Sequence, residues 1–213
     1  MLNNLIEYCS KLGLNEQQIN TVVEFWHSDY VAGVQEKFYN DLTTMSKDEV
    51  MEKIIIPFNW SKVQGDMANR ISDGHFTVMG VAGKTGYSYS IGLSVNRPKP
   101  HELVVLCSTA ISQTVINEVA DRYPDGIYPT EAISLNCGRV VVGDLKVPIR
   151  AKIVRLDNPH EVKDKLFRRI GELSGKEPDD LYCIYLGDKN NKLPGDAEYD
   201  ESFIQTVDNC AKD

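Results

Sequence analysis

The sequence contains no apolar run near the roughly 18 residues that would span a bilayer, so no membrane segment is expected. The start, MLNNLIEYCSK, has Glu7 inside its apolar stretch and no basic leader, which predicts that it is not a secretory signal. Its five cysteines (Cys9, Cys107, Cys137, Cys183 and Cys210) are odd in number and show no CxxC or CxH spacing. That argues against a disulfide framework and a cysteine-based zinc site, and favours a reduced, cytoplasmic chain. Basic residues are also scarce, 23 against 31 acidic, for a net charge of -8. Such a chain repels nucleic acid and anionic membranes at long range, although a small local basic site stays compatible with it. Repeats, low-complexity tracts and long linkers are absent.

A length of 213 residues suits one domain, or one domain with a helical appendage, and 42% hydrophobic content is enough to fill a core. The first seventy residues carry helical periodicity. Leu2, Leu5, Ile6 and Cys9 fall on one stripe and Gly13 offers a stop. Asn15 with Gln18 predicts a capped second helix along Ile19, Val22, Val23 and Trp26. A third helix is expected to carry Val31, Val34, Phe38 and Leu42. Ser46 with Glu49 predicts the start of a fourth, which Pro57 should end. A further helix over about 60–71 leads to the Asp73-Gly74 turn.

From His75 the apolar period changes from about 3.6 to 2. HFTVMGVA and YSYSIGL predict a hairpin across Gly83–Gly86, and the continuously apolar ELVVLC predicts a buried strand. A helix is expected over Thr109–Tyr123. Strands follow at AISLN, RVVV and LKVPIRAKIVRL, with Pro148 suited only to an edge or a bulge. Asn158-Pro159 opens a helix along Val162, Leu166, Ile170 and Leu173. LYCIYL is the last strand, followed by a polar loop over 187–200 and a short C-terminal helix. This order predicts an α+β protein: a helical region over 1–72, then an α+β domain over 73–213 with a mostly antiparallel, open or barrel-like sheet.

Several motifs dissolve on inspection. GVAGKTG is not a phosphate-binding loop, because Val78 occupies the first glycine position of GxxxxGK[ST] and a strand follows instead of a helix. His75, His101 and Glu102 lack the spacing of a zinc site. Cys107 looks buried, and neither it nor Cys137 has the context of an activated nucleophile. Lys146, Arg150, Lys152 and Arg155 alternate along one strand and read as its solvated face, with an anionic ligand as the functional alternative. Tyr87, Tyr89, Tyr182 and Tyr185 read as core or pocket wall. The most chemical pair is His101–Glu102. The imidazole exchanges protons near neutral pH and a carboxylate can stabilise its charged form, yet neighbours in a strand point to opposite faces.

Three blocks, in order, resemble the bacterial and phage family known as domain of unknown function 4262, over about residues 75–200. They are HFTVMGVAGKTGYSYSIGLS, PHELVVLCSTAISQTVINEV and LYCIYLGDKNNKLPGDAEYD. Here the family's His-Pro-Glu turn reads Pro100-His101-Glu102, and Leu186 and Gly195 stand where it has tryptophans; Asp188 and Pro194 match. The resemblance implies an α+β domain and no particular activity, and names no cofactor. A fainter likeness to flavin-binding split barrels lacks their phosphate-binding basic pair.

The functional expectation is that loops 94–102 and 187–196 meet at one end of the sheet. They would form a small-molecule pocket lined by Tyr87, Tyr89, Ser90, His101, Glu102 and Asp188. If catalytic, His101 would be general acid or base, Glu102 its partner and Asp188 a second carboxylate. The alternative is a non-catalytic protein-interaction or inhibitory module that uses the acidic surface and helices 15–42.

Overall fold

The computed structural model describes residues 1–81, 86–106, 111–156, 161–203 and 205. Helix α1 (Leu2–Lys11) buries Leu5 and Cys9 on its predicted stripe and stops before Gly13, which adopts φ +76°. Asn15 and Gln18 exchange both capping-box hydrogen bonds at 2.9 Å to start α2 (Glu16–Trp26). Helix α3 spans Gln35–Leu42, so Val31 and Val34 lie in the turn before it, not on the helix as expected. Ser46 and Glu49 form the second capping box and open α4 (Lys47–Val50).

The chain does not break at Pro57. A π-turn, Met51–Ile55, leads directly into α5 (Ile56–Ser72). Proline lacks the N–H for a helical bond and crowds the carbonyl four residues back. The wider turn relieves that crowding: the Ile56 N–H bonds to the Met51 carbonyl, five residues back. Leu5, Cys9, Val22, Trp26, Leu42, Val50 and Ile54 form the core of this helical part.

The rest is one six-stranded sheet in the order β1-β2-β3-β6-β5-β4, mixed, mostly antiparallel and strongly curled. Strands β1 (Thr77–Val81) and β2 (Tyr87–Ile91) are the expected antiparallel hairpin, Val81 facing Tyr87; its loop, 82–85, lies outside the described residues. A short helix α6 (Leu93–Asn96) precedes β3 (His101–Val105), every residue of which is buried. Helix α7 (Ser112–Arg122) follows, then β4 (Ile133–Val142), β5 (Leu145–Arg155), α8 (Glu161–Ser174) and β6 (Asp180–Leu186).

AISLN and RVVV are one strand, not two: β4 runs through a shift of register between Leu135 and Arg139. Pro148 faces Arg139 at that irregularity, where no regular ladder bond is needed. The expected C-terminal helix and the Asn158-Pro159 helix start fall outside the described residues.

Alternation along the strands produces two cores. Leu103, Val105, Ile184 and Leu135 pack with Val115, Ile116 and Val119 of α7. Val104, Tyr87, Tyr89 and Cys183 pack with Leu166 and Ile170 of α8 and with Met67 and Ile71 of α5. β3 contributes to both, which is why Leu103, Val104 and Val105 are apolar in succession. The chain divides into two compact units, Met1–Asp66 and Met67–Asp213, with the division inside α5.

Candidate functional site

β3 and β6 run parallel, with His101 opposite Asp180 and Val105 opposite Ile184. The loop before β3 and the loop after β6 therefore lie at opposite ends of the pair. The six steps of β6 from Asp180 to Leu186 alone span about 20 Å. His101 and Asp188 do not converge, and the pocket expected between them does not form. The two loops would have met only if these strands were antiparallel.

His101 is 1% exposed. Its Nδ1 lies 2.7 Å from the Lys99 carbonyl and its Nε2 2.5 Å from the Tyr128 hydroxyl. A carbonyl only accepts, so Nδ1 carries the proton and the Tyr128 O–H donates to Nε2. Tyr128 and Tyr182 present edges to the ring at 5.5 and 5.9 Å. Gly126, at φ +67°, lies against it, where a Cβ would come within 2.7 Å of Cε1. Burial pushes the imidazole below its ordinary 6.5, and the bond to the Lys99 carbonyl only partly opposes this. A neutral imidazole with both nitrogens engaged holds the loop in place and has no free nitrogen for a substrate.

Next to it, Lys99 Nζ donates to the Tyr182 hydroxyl at 2.6 Å. Arg155 grips the nearly buried Asp180 through Nε at 2.6 Å and Nη2 at 2.5 Å, with Lys99 3.7 Å away. None of Lys99, Tyr128 and Asp180 was identified as part of a site from sequence, and Tyr182 was read as core or pocket wall. Arg155 was identified only as part of a charged strand face.

Glu102 points to the opposite face and is fully buried. Its Oε1 accepts from Gly92 N–H (2.8 Å), Ser94 N–H (3.0 Å) and the Ser94 hydroxyl (2.8 Å). Its Oε2 accepts from the Ser90 hydroxyl at 2.5 Å, which in turn accepts the Leu103 N–H at 2.8 Å. Burial raises the carboxyl above its ordinary 4.5 against the pull of these donors. Ser90 and Glu102 are thus brought together as expected, but sealed from solvent. Tyr87 and Tyr89 stack on each other at 6.0 Å in the second core, with the Tyr89 O–H directed at Met79 Sδ (3.2 Å). They are core, not pocket wall.

Asp188 organises the loop after β6. Its Oδ1 accepts the N–H groups of Asn190 and Lys192, and its Oδ2 that of Asp200, all at 2.8 Å. Burial pushes this carboxyl up, but the three donors outweigh it and hold the group below 3.8. Asn191, at φ +60°, extends the order to β5: its Oδ1 accepts the Arg150 N–H at 2.8 Å and its Nδ2 donates to the Pro148 carbonyl at 2.9 Å. Gly187 makes this possible, since a Cβ there would lie 2.6 Å from Asn191 Oδ1. Asparagine tolerates left-handed backbone better than most residues, and the Asn190-Asn191 pair was the one sequence signal for this turn.

The loop so fixed is one wall of an open cleft of about 420 Å³. Val142, Leu145, Val147 and Pro148 supply an apolar side; Arg150, Asn190 and Lys192 supply charge and polarity. Arg150 pairs with Asp196 at 2.7 Å, while Lys192 is only 3.8 Å from a highly exposed Glu198. The volume is in the range of small-molecule sites. Among the described residues no group of three potential ligands could hold a metal ion, and no helix is long and apolar enough to cross a membrane. No protein-family profile, curated protein or solved structure matches the chain.

Proposed function

We propose that this protein binds a small anionic molecule in the cleft between the β4–β5 hairpin and the loop 187–192, and that it acts by binding and not by catalysis. The observation that carries this reading is the fixed loop. Five backbone groups are tied to Asp188 and Asn191 side chains, so Lys192 and Asn190 are presented beside Arg150 without further ordering cost. The Lys192–Glu198 contact is long and exposed, so an incoming carboxylate or phosphate displaces it cheaply. The apolar side formed by Val142, Leu145 and Val147 suits a ligand with a compact hydrocarbon part. The resemblance of the 181–200 block to the 4262 family falls on this same loop. His101 and Glu102, the best acid–base candidates, have no access to the cleft.

The test is a thermal-shift screen of small carboxylates and phosphates on the wild type and on Lys192→Ala and Leu145→Glu. Both positions line the cleft, Leu145 exposed and Lys192 half-buried, and neither belongs to a core, so both variants should keep the wild-type melting temperature without ligand. Anionic hits should raise the wild-type melting temperature and lose that effect in both variants. Equal shifts in all three proteins, or no anionic hit, would sink the proposal. The competing reading, a protein-interaction surface on helices 15–42, draws support from Tyr30 and Val34, which are 67% and 50% exposed. Two side chains fall short of the several hundred Å² of a typical recognition patch.

A further inference from the structure

A second cavity lies wholly within the helical unit. It has a volume of about 220 Å³ and is half enclosed by Phe25, Tyr30, Lys53, Ile54, Pro57, Phe58 and Ser61. Three of these form an aromatic corner. Phe25 and Tyr30 are near parallel, with centroids 5.8 Å apart. Phe58 stands edge-on to both, at 5.2 and 6.1 Å. Tyr30 is two-thirds exposed although it stacks on Phe25, so it contributes a ring without being needed to fill the core. The remaining wall is the π-turn and the proline after it, through Lys53, Ile54 and Pro57. π-turns are rare and concentrate at functional positions. Here the turn lets Pro57 stay in mid-helix, where it has no N–H to offer its own helix.

Size and charge narrow the occupant. An apolar cavity of about 150 Å³ is enough to take benzene. A space of 220 Å³ therefore admits one ring with a small substituent, and is too small for a peptide helix. Aromatic walls favour an aromatic ring, through edge-to-face and offset contacts. Lys53 is the only charged residue of the lining, and its ammonium is engaged with Glu49 at 2.8 Å in an exposed pair that is cheap to exchange. Lys62, paired with Glu24, places its ammonium 4.7 Å from the Phe58 centroid.

We propose that this cavity is a binding site for a single-ring aromatic acid, its ring held in the corner of Phe25, Tyr30 and Phe58 and its carboxylate paired with Lys53. The inference is independent of the cleft beside Arg150.

The probes are benzoate, benzyl alcohol (the ring without the charge) and cyclohexanecarboxylate (the charge without the aromatic ring), titrated into the full chain by NMR. Benzoate should bind with a Kd on the order of 1 mM, the affinity expected of so small a ligand, and each other probe several-fold more weakly. Tyr30→Ala should weaken benzoate about fivefold to tenfold with an unchanged melting temperature. Lys53→Met should remove the preference for benzoate over benzyl alcohol, and Ser61→Leu, which fills the cavity, should abolish binding. Lys192→Ala should leave all of this unaltered, which separates the site from the cleft. Absence of saturable benzoate binding overturns the proposal, as does binding indifferent to both Tyr30→Ala and Lys53→Met. Binding of an aromatic side chain within a peptide, with no binding of benzoate, also overturns it and makes the cavity a peptide-docking notch.

Discussion

Glu102 and Ser90, twelve residues apart, meet at 2.5 Å in the interior, carboxyl oxygen to hydroxyl. Together with Gly92 and Ser94 they tie the end of β2 and the short α6 to the start of β3. The ionisable group at the start of this buried strand is a fastener with both oxygens engaged.

Removing it should be costly. Glu102→Ala strands the Gly92 and Ser94 donors in a buried space and is expected to cost about 3 kcal/mol in urea denaturation. Glu102→Gln should cost clearly less, since its carbonyl still accepts and its amide can donate to Ser90. The sign of the pH effect follows from a folded-state pKa raised above 4.5. The carboxyl's contribution is complete below 4.5 and is lost as pH rises through the folded value. The gap between wild type and Glu102→Gln should therefore shrink with rising pH. A gap that widens would show the buried group to be held as an anion.

The two periodicities were readable in the sequence. Val22 and Trp26 at helical spacing, and Tyr87, Tyr89 and Ile91 at strand spacing, all occupy the cores that their patterns imply. Ser90 and Glu102 were expected to line one pocket, and they do meet, but in the sealed interior. The direction of β6 against β3 was not readable, because buried strands such as HELVV and LYCIYL carry no local mark of parallel or antiparallel pairing. That single unknown placed Asp188 beside His101. Pro57 misled for a related reason: its helix-breaking tendency is local, whereas the π-turn that accommodates it spans the preceding five residues. Tyr128 and Asn191 were missed because each acts through contacts 27 and 41 residues away along the chain.

His101 should make the protein acid-sensitive. Its folded pKa lies below 6.5, so its contribution is present above 6.5 and is lost as pH falls from there toward the folded value. Urea midpoints of the wild type should fall over that window, and the slope should flatten in His101→Gln. NMR should also find the neutral ring protonated at Nδ1. A wild-type slope matched by the variant would assign the sensitivity to other groups.

Cys137 should be a slow thiol. Burial and then the neighbouring Glu118 carboxylate push it up to about 11, from an ordinary 9.0. The same carboxylate accepts the N–H groups of Asn136 and Cys137 at 2.7–2.9 Å, at the irregular step of β4, and pairs with Arg122. The thiolate, which is the reactive form, is thus about a hundredfold scarcer near neutral pH than for an ordinary cysteine. Iodoacetamide labelling followed on the peptide containing Cys137 should be slower than that of glutathione by a comparable factor. Glu118→Gln should speed it several-fold. Labelling of the wild type as fast as glutathione would contradict this arrangement.

Asp188 decides whether the cleft exists. Its carboxyl holds three backbone N–H groups from Asn190, Lys192 and Asp200, and charged acceptors make stronger bonds than neutral ones. Asp188→Ala should cost about 2–3 kcal/mol, and Asp188→Asn about half of that, since one oxygen remains to accept. The loss should be local. Amide exchange at Asn190, Lys192 and Asp200 should quicken in Asp188→Ala while the buried amides of β3 and β6 keep their protection. Because the folded pKa lies below 3.8, the carboxylate's contribution is complete above 3.8 and is lost only as pH falls further, so the loop should hold throughout the neutral range. Any anionic ligand of the cleft should bind Asp188→Ala more weakly, since Lys192 and Asn190 would have to be ordered on binding. Unchanged exchange at the three amides would mean that Asn191, through its two bonds to β5, suffices to hold the loop, and that Asp188 is dispensable to the site.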